Sequence, residues 1–322
     1  YETLVHELER ESQGDFHAYL RMDRQTFIVF FLLFFKELVS IHIYYITNFS
    51  YRSLAFDFRV AHNTMSQFIP RFGQKWNFHH CCGAIDGKHV AIKKPKKSGS
   101  LYYNYKGYFS IILLAVVDAD YRFIWANVGA NGSASDCGVF NHSELHTKLE
   151  ENTLGLPDPD PLPGDDRDVP YFLVGDDAFP LRTCMMKPFS QRGLTNAERI
   201  FNYRLSRARR VVENAFGILA HRWRCLLTTL QQTPDNCTDI VLGCMTLHNL
   251  LRRAPGLQAG EVDTEDADGN VVPGAWRQTV DLTDFSTVGG QRLTRAGKLQ
   301  RVYLSDYYNA TANKLPWQDS VV

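Results

Sequence analysis

A single carboxylate interrupts an otherwise apolar stretch at residues 82–92, whose sequence is CGAIDGKHVAI. Its apolar residues are those of a buried strand, whereas a carboxylate in such a strand costs several kcal/mol unless it is paired or binds a metal. Gly83 and Gly87 flank Asp86 and leave its approach open. The stretch therefore predicts either an active-site carboxylate or an Asp-Gly hairpin turn, and the first reading requires partners for Asp86 elsewhere in the chain.

The length and composition of the chain limit the folds that it can adopt. Its 322 residues are enough for two domains or one large one, and 44% of them are hydrophobic, so a sizeable core is available. No secretory signal is recognisable in the sequence. The apolar run at 27–35 is too short to cross a membrane and predicts a buried helix. We therefore expect no membrane partner.

Cysteine usage is typical of a reducing compartment. The seven cysteines include no C-x-x-C pair. His79, His80, Cys81 and Cys82 are metal ligands by type, but four consecutive side chains cannot converge on one tetrahedral ion, which argues against zinc here. Reduced thiols fit a nuclear protein, or a cytosolic one.

Positive charge is concentrated in two clusters, although the net charge is zero. Local basic surfaces of this kind can hold phosphates. The clusters contain the loop residues Lys93, Lys94, Lys96 and Lys97 and, on a predicted helix, Arg209 and Arg210. The tyrosines that follow the lysines, within 102–109, are suited to stacking bases and equally to forming the edge of a core.

The first 80 residues are predicted to be helical. Two short helices within 51–72, the second capped by Asn63, are typical of a helix-turn-helix that reads DNA. The alternative is a small helical packing unit without DNA contacts.

Apolar segments further along the chain complete a predicted sheet. Residues 111–117 and 121–128 are expected to pair with the Asp86 strand as an antiparallel meander. Asp136 is expected to cap a helix that runs to about Glu151.

A fourth strand is predicted at 171–174, after an acidic, proline-rich insertion at 155–170 that we expect to be a solvated loop. The strand ends at Asp176 and Asp177. Carboxylates at the end of an apolar strand are well placed to enter a site beside Asp86.

The longest predicted helix, at 198–224, carries Glu213 at its centre. Gly217 and Ala220 share the face of Glu213, and their small side chains would let the helix press close to a sheet. The alternative role for Glu213 is a surface pair with Arg209, worth only tenths of a kcal/mol.

Two more helices are predicted, at 237–252 and 293–313. In the first, His248 is expected to be a hydrogen-bonded core residue rather than a ligand. Between them, residues 254–290 are polar, acidic and Gly-rich, which indicates a flexible segment. The predicted domain organisation is a helical region at 1–80, a central domain at 81–253 and a polar C-terminal segment at 254–322.

The order of these elements fits an α/β fold of the ribonuclease H-like type. In that fold a mixed sheet is flanked by helices, and carboxylates that are distant in the sequence meet at one edge of the sheet. Here one carboxylate lies on the first strand, one follows the fourth strand, and a glutamate lies on a later helix.

Six short motifs occur in the order found in one known family. They are GAIDG at 83–87, YNYKG at 103–107, Gly132-Ser133 with Asp136, GDDAFPL at 175–181, VENAFG at 212–217 and LHNL at 247–250. With them the chain resembles the PIF/Harbinger transposases and their domesticated nuclease relatives over about residues 50–252. Residues 27–49 depart from the usual N-terminal helices of that family.

Carried over to this sequence, the resemblance implies that Asp86, Asp176 and Glu213 form an acidic triad. Asp177 is the second choice for the middle position, and Asp136 matches a recurrent aspartate that would support the site. The resemblance also implies a nuclear location, with a cytoplasmic pool as a further option, and a separate Myb-like protein that helps to deliver the nuclease to DNA.

The chemistry of three carboxylates agrees with that implication. Three such anions crowd together only when cations neutralise them, and hard oxygen ligands favour Mg²⁺ or Mn²⁺. Two ions would activate a water or a DNA 3′-hydroxyl and stabilise the leaving oxygen. The resulting hypothesis is divalent-metal-dependent cleavage of DNA phosphodiesters, with strand transfer if the protein is a working transposase.

Two other functions remain compatible with the sequence. One is a domesticated, catalytically silent module that binds DNA or protein on the same fold. The other is a metal-dependent phosphohydrolase of small substrates, but the chain lacks the D-x-D nucleophile motif and the Gly-rich phosphate loop expected of one. Metal-dependent nicking of plasmid DNA would separate the nuclease from the silent module.

Overall fold

A computed structural model of the protein describes residues 71–190, 192–253, 262–266, 268–278 and 293–320. Almost all of them fall in the compact unit formed by Val60–Arg252 and Gln258–Val322. The predicted helices of the N-terminal region, including most of the helix-turn-helix at 51–72, lie outside the described residues. Residues 71–75 are helical, as expected.

A five-stranded mixed sheet forms the centre of this unit. Its strands are β1 (Cys81–Ala91), β2 (Ser110–Val117), β3 (Phe123–Asn131), β6 (Phe172–Val174) and β7 (Met185–Met186). Their order in space is β3-β2-β1-β6-β7. The first three strands are antiparallel neighbours, whereas β6 runs parallel to β1 and β7 runs parallel to β6. The meander and the fourth strand are confirmed, while β7 was not predicted because it is only two residues long.

The Asp86 stretch is a strand, and the hairpin-turn reading of Asp86-Gly87 is wrong. Asp86 is paired with Ala115 and Gly87 with Leu114 in the continuous antiparallel ladder between β1 and β2. Because β1 is the central strand of the sheet, Asp86 lies inside the fold rather than at a surface turn.

Both faces of the sheet are covered, and β2 shows this most directly because all eight of its residues are buried. Ile111, Leu113, Ala115 and Val117 belong to one apolar cluster, and Ile112, Leu114 and Val116 belong to another. Successive side chains of a strand point to opposite faces, so the sheet has one core on each side.

The helices of the described residues flank this sheet. They are α1 (Asp136–Asn141), α2 (Glu144–Glu150), α3 (Asn196–Arg222), α4 (Pro234–Arg253) and α5 (Arg295–Asn309), with short 3₁₀ helices at Arg224–Leu227, Ala275–Gln278 and Thr311–Asn313. The larger core includes residues of α3, α4 and α5, and the smaller one includes residues of α1 and α2. This mixed sheet with helices on both faces is the predicted ribonuclease H-like, α/β fold.

The helix predicted from Asp136 to Glu151 is in fact two helices. Ser135, not Asp136, is the N-cap of α1, because its side chain accepts a hydrogen bond from the backbone N–H of Gly138. Ser143 breaks the run and caps α2 by accepting from His146 N–H. Asp136 is therefore the first residue of a helix, where a negative charge is favourable.

The insertion at 155–170 is not only a solvated loop. It contains a small hairpin of β4 (Asp160–Pro161) and β5 (Asp168–Val169), and Leu162 and Val169 are buried in the larger core. The acidic composition of the segment gave no indication that these two apolar residues are buried.

The prediction of flexibility for 254–290 is wrong for the described parts of that segment. They form a hairpin of β8 (Thr264–Glu265) and β9 (Val271–Val272), followed by the buried Trp276. Trp276 donates a hydrogen bond of 2.7 Å from Nε1 to Asn214 Oδ1 on α3. One aromatic residue thus anchors a polar segment.

The long helix α3 is well defined at its N-terminus. Thr195 and Glu198 form a capping box, in which each side chain accepts a backbone N–H of the other residue. No helix among the described parts of the chain combines the length and apolar character that crossing a bilayer would require.

Candidate acidic active site

The pairing of β1 with β6 places Asp86 beside Asp176. Ala84 and Val174 are partners in this parallel ladder, and each aspartate lies two residues further along its own strand direction. Neighbouring strands are separated by roughly 4.8 Å. Two acids that are distant in the sequence therefore become neighbours where β6 ends.

The side chain of Asp86 points toward α3. Asp86 is directly opposite Ala115, and the flanking pairs on the same face place Ala84 and Val90 in the larger core, which includes α3 residues. Since opposed residues of an antiparallel pair project to the same face, Asp86 shares that face. It is the one acidic residue of β1.

Backbone amides orient both aspartates. Gly87 N–H donates to Asp86 Oδ1 over 2.9 Å, and Ala178 N–H donates to Asp176 Oδ1 over 2.8 Å. Both carboxylates remain partly buried rather than fully enclosed. Each therefore keeps oxygen lone pairs for a further partner.

Helix α3 brings Glu213 and Arg209 to the same place. They are one helical turn apart, and Arg209 Nη2 lies 2.8 Å from Glu213 Oε1. The predicted i, i+4 pair is therefore real. Burial lowers the pKa of Arg209, but the negative charges of Glu213, Asp86 and Asp176 outweigh it and raise that pKa.

We define the acid cluster as Asp86, Asp176 and Glu213, and the surroundings of its two aspartates shift their pKa values upward. Burial raises the pKa of Asp86 well above its ordinary value; Arg209 opposes the shift, and the carboxylates of Asp176, Asp136 and Glu213 increase it. Burial also raises the pKa of Asp176, against the Ala178 amide and Arg209. Burial is thus the main reason that both aspartates hold their protons more strongly than usual, and the neighbouring acids add to the shift at Asp86.

Asp136 approaches the cluster from the other face of the sheet. A β-carbon on Gly87 would lie 2.2 Å from Asp136 Oδ1, so only glycine leaves room for this carboxylate against β1. Gly87 is paired with Leu114, which belongs to the smaller core beside α1. Asp136 thus adds negative charge near Asp86 without sharing its face.

Asp177 is turned away from its neighbour Asp176. Its side chain is half exposed, and Lys187 Nζ lies 2.9 Å from its Oδ1 and also donates to its backbone carbonyl over 2.9 Å. Lys187 is itself buried. Lys187 thus holds the carboxylate of Asp177, whereas the carboxylate of Asp176 accepts the Ala178 amide.

The two basic clusters have different surroundings. Lys93, Lys94, Lys96 and Lys97 are all exposed. Arg210, in contrast, is paired with Glu265 over 3.0 Å, and Arg209 is paired within the acid cluster. Contact of these six residues with DNA stays a prediction. Of the six, the four lysines are the ones exposed at the surface.

A rigid turn after the lysines presents two exposed aromatic rings. Tyr103 and Tyr105 are 47% and 54% exposed. The buried Asn104 between them holds the turn, because its Oδ1 accepts the backbone N–H groups of Lys106 and Tyr108. Exposed aromatic rings beside lysines are suited to contact with nucleic-acid bases.

The residues fit a divalent cation by donor type but not by their present spacing. Carboxylate oxygens are the ligands that Mg²⁺ and Mn²⁺ prefer, so the donor type of these side chains suits such an ion. Among the described residues, however, no three Asp, Glu, His or Cys side chains converge closely enough to share an ion. Arg209 supplies the positive charge within the cluster.

Other sequence-derived candidates are structural. Cys81 and Cys82 belong to opposite cores, and the ring of His80 stacks on Tyr171 with centroids 4.3 Å apart. His248 is a satisfied core residue, as predicted, since its Nε2 lies 2.7 Å from the carbonyl oxygen of Tyr121, to which it donates.

Sequence reasoning missed two features of the site. It gave no role to Lys187, and it did not foresee the contact of Asp136 with Gly87. The glycine was the available signal, because a glycine inside a central strand often marks close approach by another group.

The mixed sheet with helices on both faces defines a class of protein, the ribonuclease H-like α/β proteins. The family described as DDE superfamily endonuclease matches residues 85–249, about half of the chain. The protein therefore belongs to the DDE superfamily endonucleases, and its relatives place it with the Harbinger-type members.

The relatives cover the same central region. The human protein named "Putative nuclease HARBI1" is 33% identical over 171 residues, which are 52% of this chain and 45% of that protein. The Arabidopsis thaliana "Protein ALP1-like" is 32% identical over 192 residues, or 58% and 47% of the two chains. The chain thus spans about half the length of the curated relatives it matches. No solved structure matches it significantly.

Proposed function

We propose that this protein is a divalent-metal-dependent DNA endonuclease of the transposase type, which cleaves DNA phosphodiesters with Asp86, Asp176 and Glu213. The observation that supports it best is the side-by-side placement of Asp86 and Asp176 facing α3. Two neighbouring carboxylate anions destabilise a fold. Their placement side by side therefore does not suggest a structural role for Asp86 and Asp176. Strand transfer would follow if the protein acts as a transposase.

Under this proposal the three carboxylates would hold the metal, with Asp136 and Asp177 as secondary candidates. One or two Mg²⁺ or Mn²⁺ ions would supply Lewis acidity and an activated oxygen nucleophile. The Gly87 and Ala178 amides orient Asp86 and Asp176 before any ion binds. Arg209 balances the charge of these acids.

The exposed lysines would hold the DNA backbone, and Tyr103 and Tyr105 would contact its bases. All of these residues follow the C-terminal end of β1, five strand residues beyond Asp86. That distance is about 17 Å along a strand, comparable with about five base pairs of duplex. A bound duplex could therefore reach both places at once.

A nicking assay on supercoiled plasmid with Mg²⁺, Mn²⁺ or EDTA tests the proposal. We expect metal-dependent nicking by the wild type and at least a hundredfold loss in Asp86→Asn, with DNA binding largely intact. Asp306→Asn, which changes an exposed carboxylate on α5, is the matched control and should nick normally. Unchanged nicking by Asp86→Asn would refute the assignment.

DNA binding is measured separately from cleavage. Replacing the four lysines at 93, 94, 96 and 97 with glutamine should weaken plasmid binding and reduce the salt dependence of log K by up to ~4 units of slope. Wild-type protein that binds plasmid but never nicks it would instead favour the catalytically silent module.

Location and partner are further parts of the proposal and rest on the family. A nuclear location and delivery to DNA by a Myb-like protein would suit an endonuclease that shares this fold with domesticated relatives. Fluorescent fusions of the protein would show its location, and co-purification from nuclear extract, followed by identification of a Myb-like chain, would test the partner.

A further inference from the structure

The outer face of α5 presents a row of exposed side chains to solvent. This row, which we call the α5 stripe, consists of Arg295, Leu299, Val302 and Asp306. Successive members are four, three and four residues apart, so all of them lie within one narrow arc of the helix. Leu299, at 57%, is the most exposed large apolar side chain in the described part of the chain, and Val302 is 49% exposed. The α5 stripe therefore has an apolar centre, with a positive charge before it and a negative charge after it.

The opposite face of α5 holds the helix against the body of the protein. Leu304 and Tyr308 are fully buried in the larger core. Gln300 donates from Nε2 to the carbonyl oxygens of Pro170 and Thr183 over 3.2 and 3.1 Å. The α5 stripe is thus presented on a helix that is already fixed in place, and a partner would not have to order that helix on binding.

The spacing of the α5 stripe is that of a coiled-coil seam, in which core positions recur at alternating intervals of three and four residues. The midpoint of Leu299 and Val302 along the helix is also the midpoint of Arg295 and Asp306. A two-fold axis through that midpoint, perpendicular to the helix, places Leu299 opposite Val302 of a second copy. The same axis places Arg295 opposite Asp306 of that copy. The stripe is therefore complementary to itself, as a two-fold symmetric interface requires.

We propose that the α5 stripe is a homodimerisation surface, on which two copies of this chain pack their α5 helices antiparallel about a two-fold axis. Leu299 and Val302 of both copies form the apolar centre. Arg295 pairs with Asp306 of the other copy at each end. A parallel arrangement would oppose Arg295 to Arg295 and Asp306 to Asp306, and repulsion between these like charges disfavours it.

The small size of the α5 stripe indicates a reversible dimer. Its four side chains on each copy cover much less than the ~1,600 Å² that a standard protein–protein interface buries. Ion pairs at the rim of an interface contribute little affinity, but they select the orientation of the two partners. We therefore expect monomer and dimer to exchange at micromolar protein concentration.

Sedimentation velocity of the full chain, in EDTA and without DNA, tests the dimer. The wild type should shift from monomer to dimer as its concentration rises through the micromolar range. Leu299→Gln should raise the dissociation constant at least tenfold, because it places an amide in the apolar centre. Leu227→Gln, which changes an exposed leucine of the 3₁₀ helix at Arg224–Leu227, should leave the constant within about twofold. A wild type that stays monomeric throughout, or equal weakening by the two variants, would overturn the proposal.

A charge exchange tests the antiparallel arrangement. Arg295→Asp opposes two negative charges at each end of the dimer and Asp306→Arg opposes two positive ones, so each variant alone should dimerise at least tenfold more weakly than the wild type. An equal mixture of the two variants should form a mixed dimer, because both of its ends then pair opposite charges. The double variant Arg295→Asp/Asp306→Arg should dimerise like the wild type for the same reason. If either the mixture or the double variant stays as weak as the single variants, the antiparallel arrangement is wrong.

This inference is independent of the proposed function. The α5 stripe contains no residue of the acid cluster and none of the lysines at 93–97, so substitutions in it, Asp306→Asn included, should leave plasmid nicking unchanged. A chain that dimerises but does not nick DNA would support the dimer and contradict the nuclease. A chain that nicks DNA but stays monomeric would do the reverse.

Discussion

The protonation and hydrogen bonding of individual side chains in this protein depend on the groups around them. Asp86 and Asp176 each accept a backbone N–H, and burial raises the pKa of both. His248 is the opposite case, a core histidine whose burial lowers its pKa to about 3. It stays neutral and donates from Nε2 to the Tyr121 carbonyl. Burial of a titratable group is thus part of a candidate active site at Asp86 and Asp176, but part of ordinary core packing at His248.

His248 predicts a specific loss of stability in acid. The unfolded histidine takes up a proton near pH 6.5, whereas the folded one resists protonation until about pH 3. The stability associated with the neutral ring is therefore fully present above pH 6.5 and lost as the pH falls toward 3, by up to about 1.4 kcal/mol per pH unit. Urea unfolding between pH 7.5 and 4.5 should show this loss in the wild type.

The matched comparison is with His248→Asn and His142→Asn. The amide introduced by His248→Asn can still donate a hydrogen bond but does not titrate, so the stability difference between the wild type and this variant should shrink as the pH falls. His142 is exposed, so His142→Asn serves as the comparison for replacing a histidine outside the core. Parallel curves for the wild type and His248→Asn would contradict the prediction.

Among the elements, α3 does more than carry Glu213. It was expected to press its small residues against the sheet, but Gly217 instead receives the ring of Trp276, and a β-carbon there would lie 2.3 Å from that ring. Trp276 is almost fully buried. The helix turn that follows Glu213 is therefore held from outside the sheet by a segment that looks polar in the sequence.

This contact predicts a change of sign in a double-mutant cycle. Gly217→Ala should destabilise the wild type by about 1–3 kcal/mol because the added methyl overlaps Trp276, and Trp276→Ala should cost about 3–5 kcal/mol. In the Trp276→Ala background the overlap is gone, so Gly217→Ala should stabilise α3 by up to ~1 kcal/mol through helix propensity. Urea unfolding of the four proteins measures the cycle, and an equal cost of Gly217→Ala in both backgrounds would contradict it.

At the scale of the whole molecule, the C-terminal residues complete the fold around α3. The buried Arg204 donates from Nε to Gln318 Oε1 over 2.9 Å, from Nη2 to Asn313 O over 2.6 Å and from Nη1 to Asn77 O over 3.2 Å. The ring of Tyr308 on α5 stacks on Phe78 with centroids 5.0 Å apart. The buried guanidinium of Arg204 thus joins three parts of the chain, namely the segment before β1, helix α3 and the C-terminal segment.

Arg204→Met should destabilise the protein by about 2–4 kcal/mol, because it leaves several buried acceptors without donors while keeping the packing volume. Arg199→Met, which replaces an exposed arginine on the same helix, should change stability by less than about 0.5 kcal/mol. Urea unfolding gives both values, and limited proteolysis should show earlier cleavage near residues 310–320 in Arg204→Met. Equal stability of the two variants would contradict this role for Arg204.

The local sequence pattern predicted most of the strands and helices. It failed where contacts between distant parts of the chain bury single side chains of a polar segment. The apolar runs of β2 and β6 and the helical spacing of α3, α4 and α5 correspond to the structure closely. Trp276 and Leu162 were assigned to solvated segments because their neighbours are polar, yet each is buried by residues distant in the chain. A single apolar side chain in a polar stretch carries no periodicity from which its burial can be predicted.

By itself, the sequence determined the identity and order of the strands and helices, and through six motifs it determined the family, because periodicity and short motifs are local properties. Only the tertiary structure decided which acids meet. The parallel register of β1 and β6 places Asp86 beside Asp176, Lys187 turns Asp177 away, and the contact at Gly87 sets Asp136 on the opposite face. The pair of Arg209 and Glu213 is local to one helix turn, but the effect of Asp86 and Asp176 on the pKa of Arg209 depends on elements that come together only in the folded chain, since charge interactions act through space rather than along the sequence.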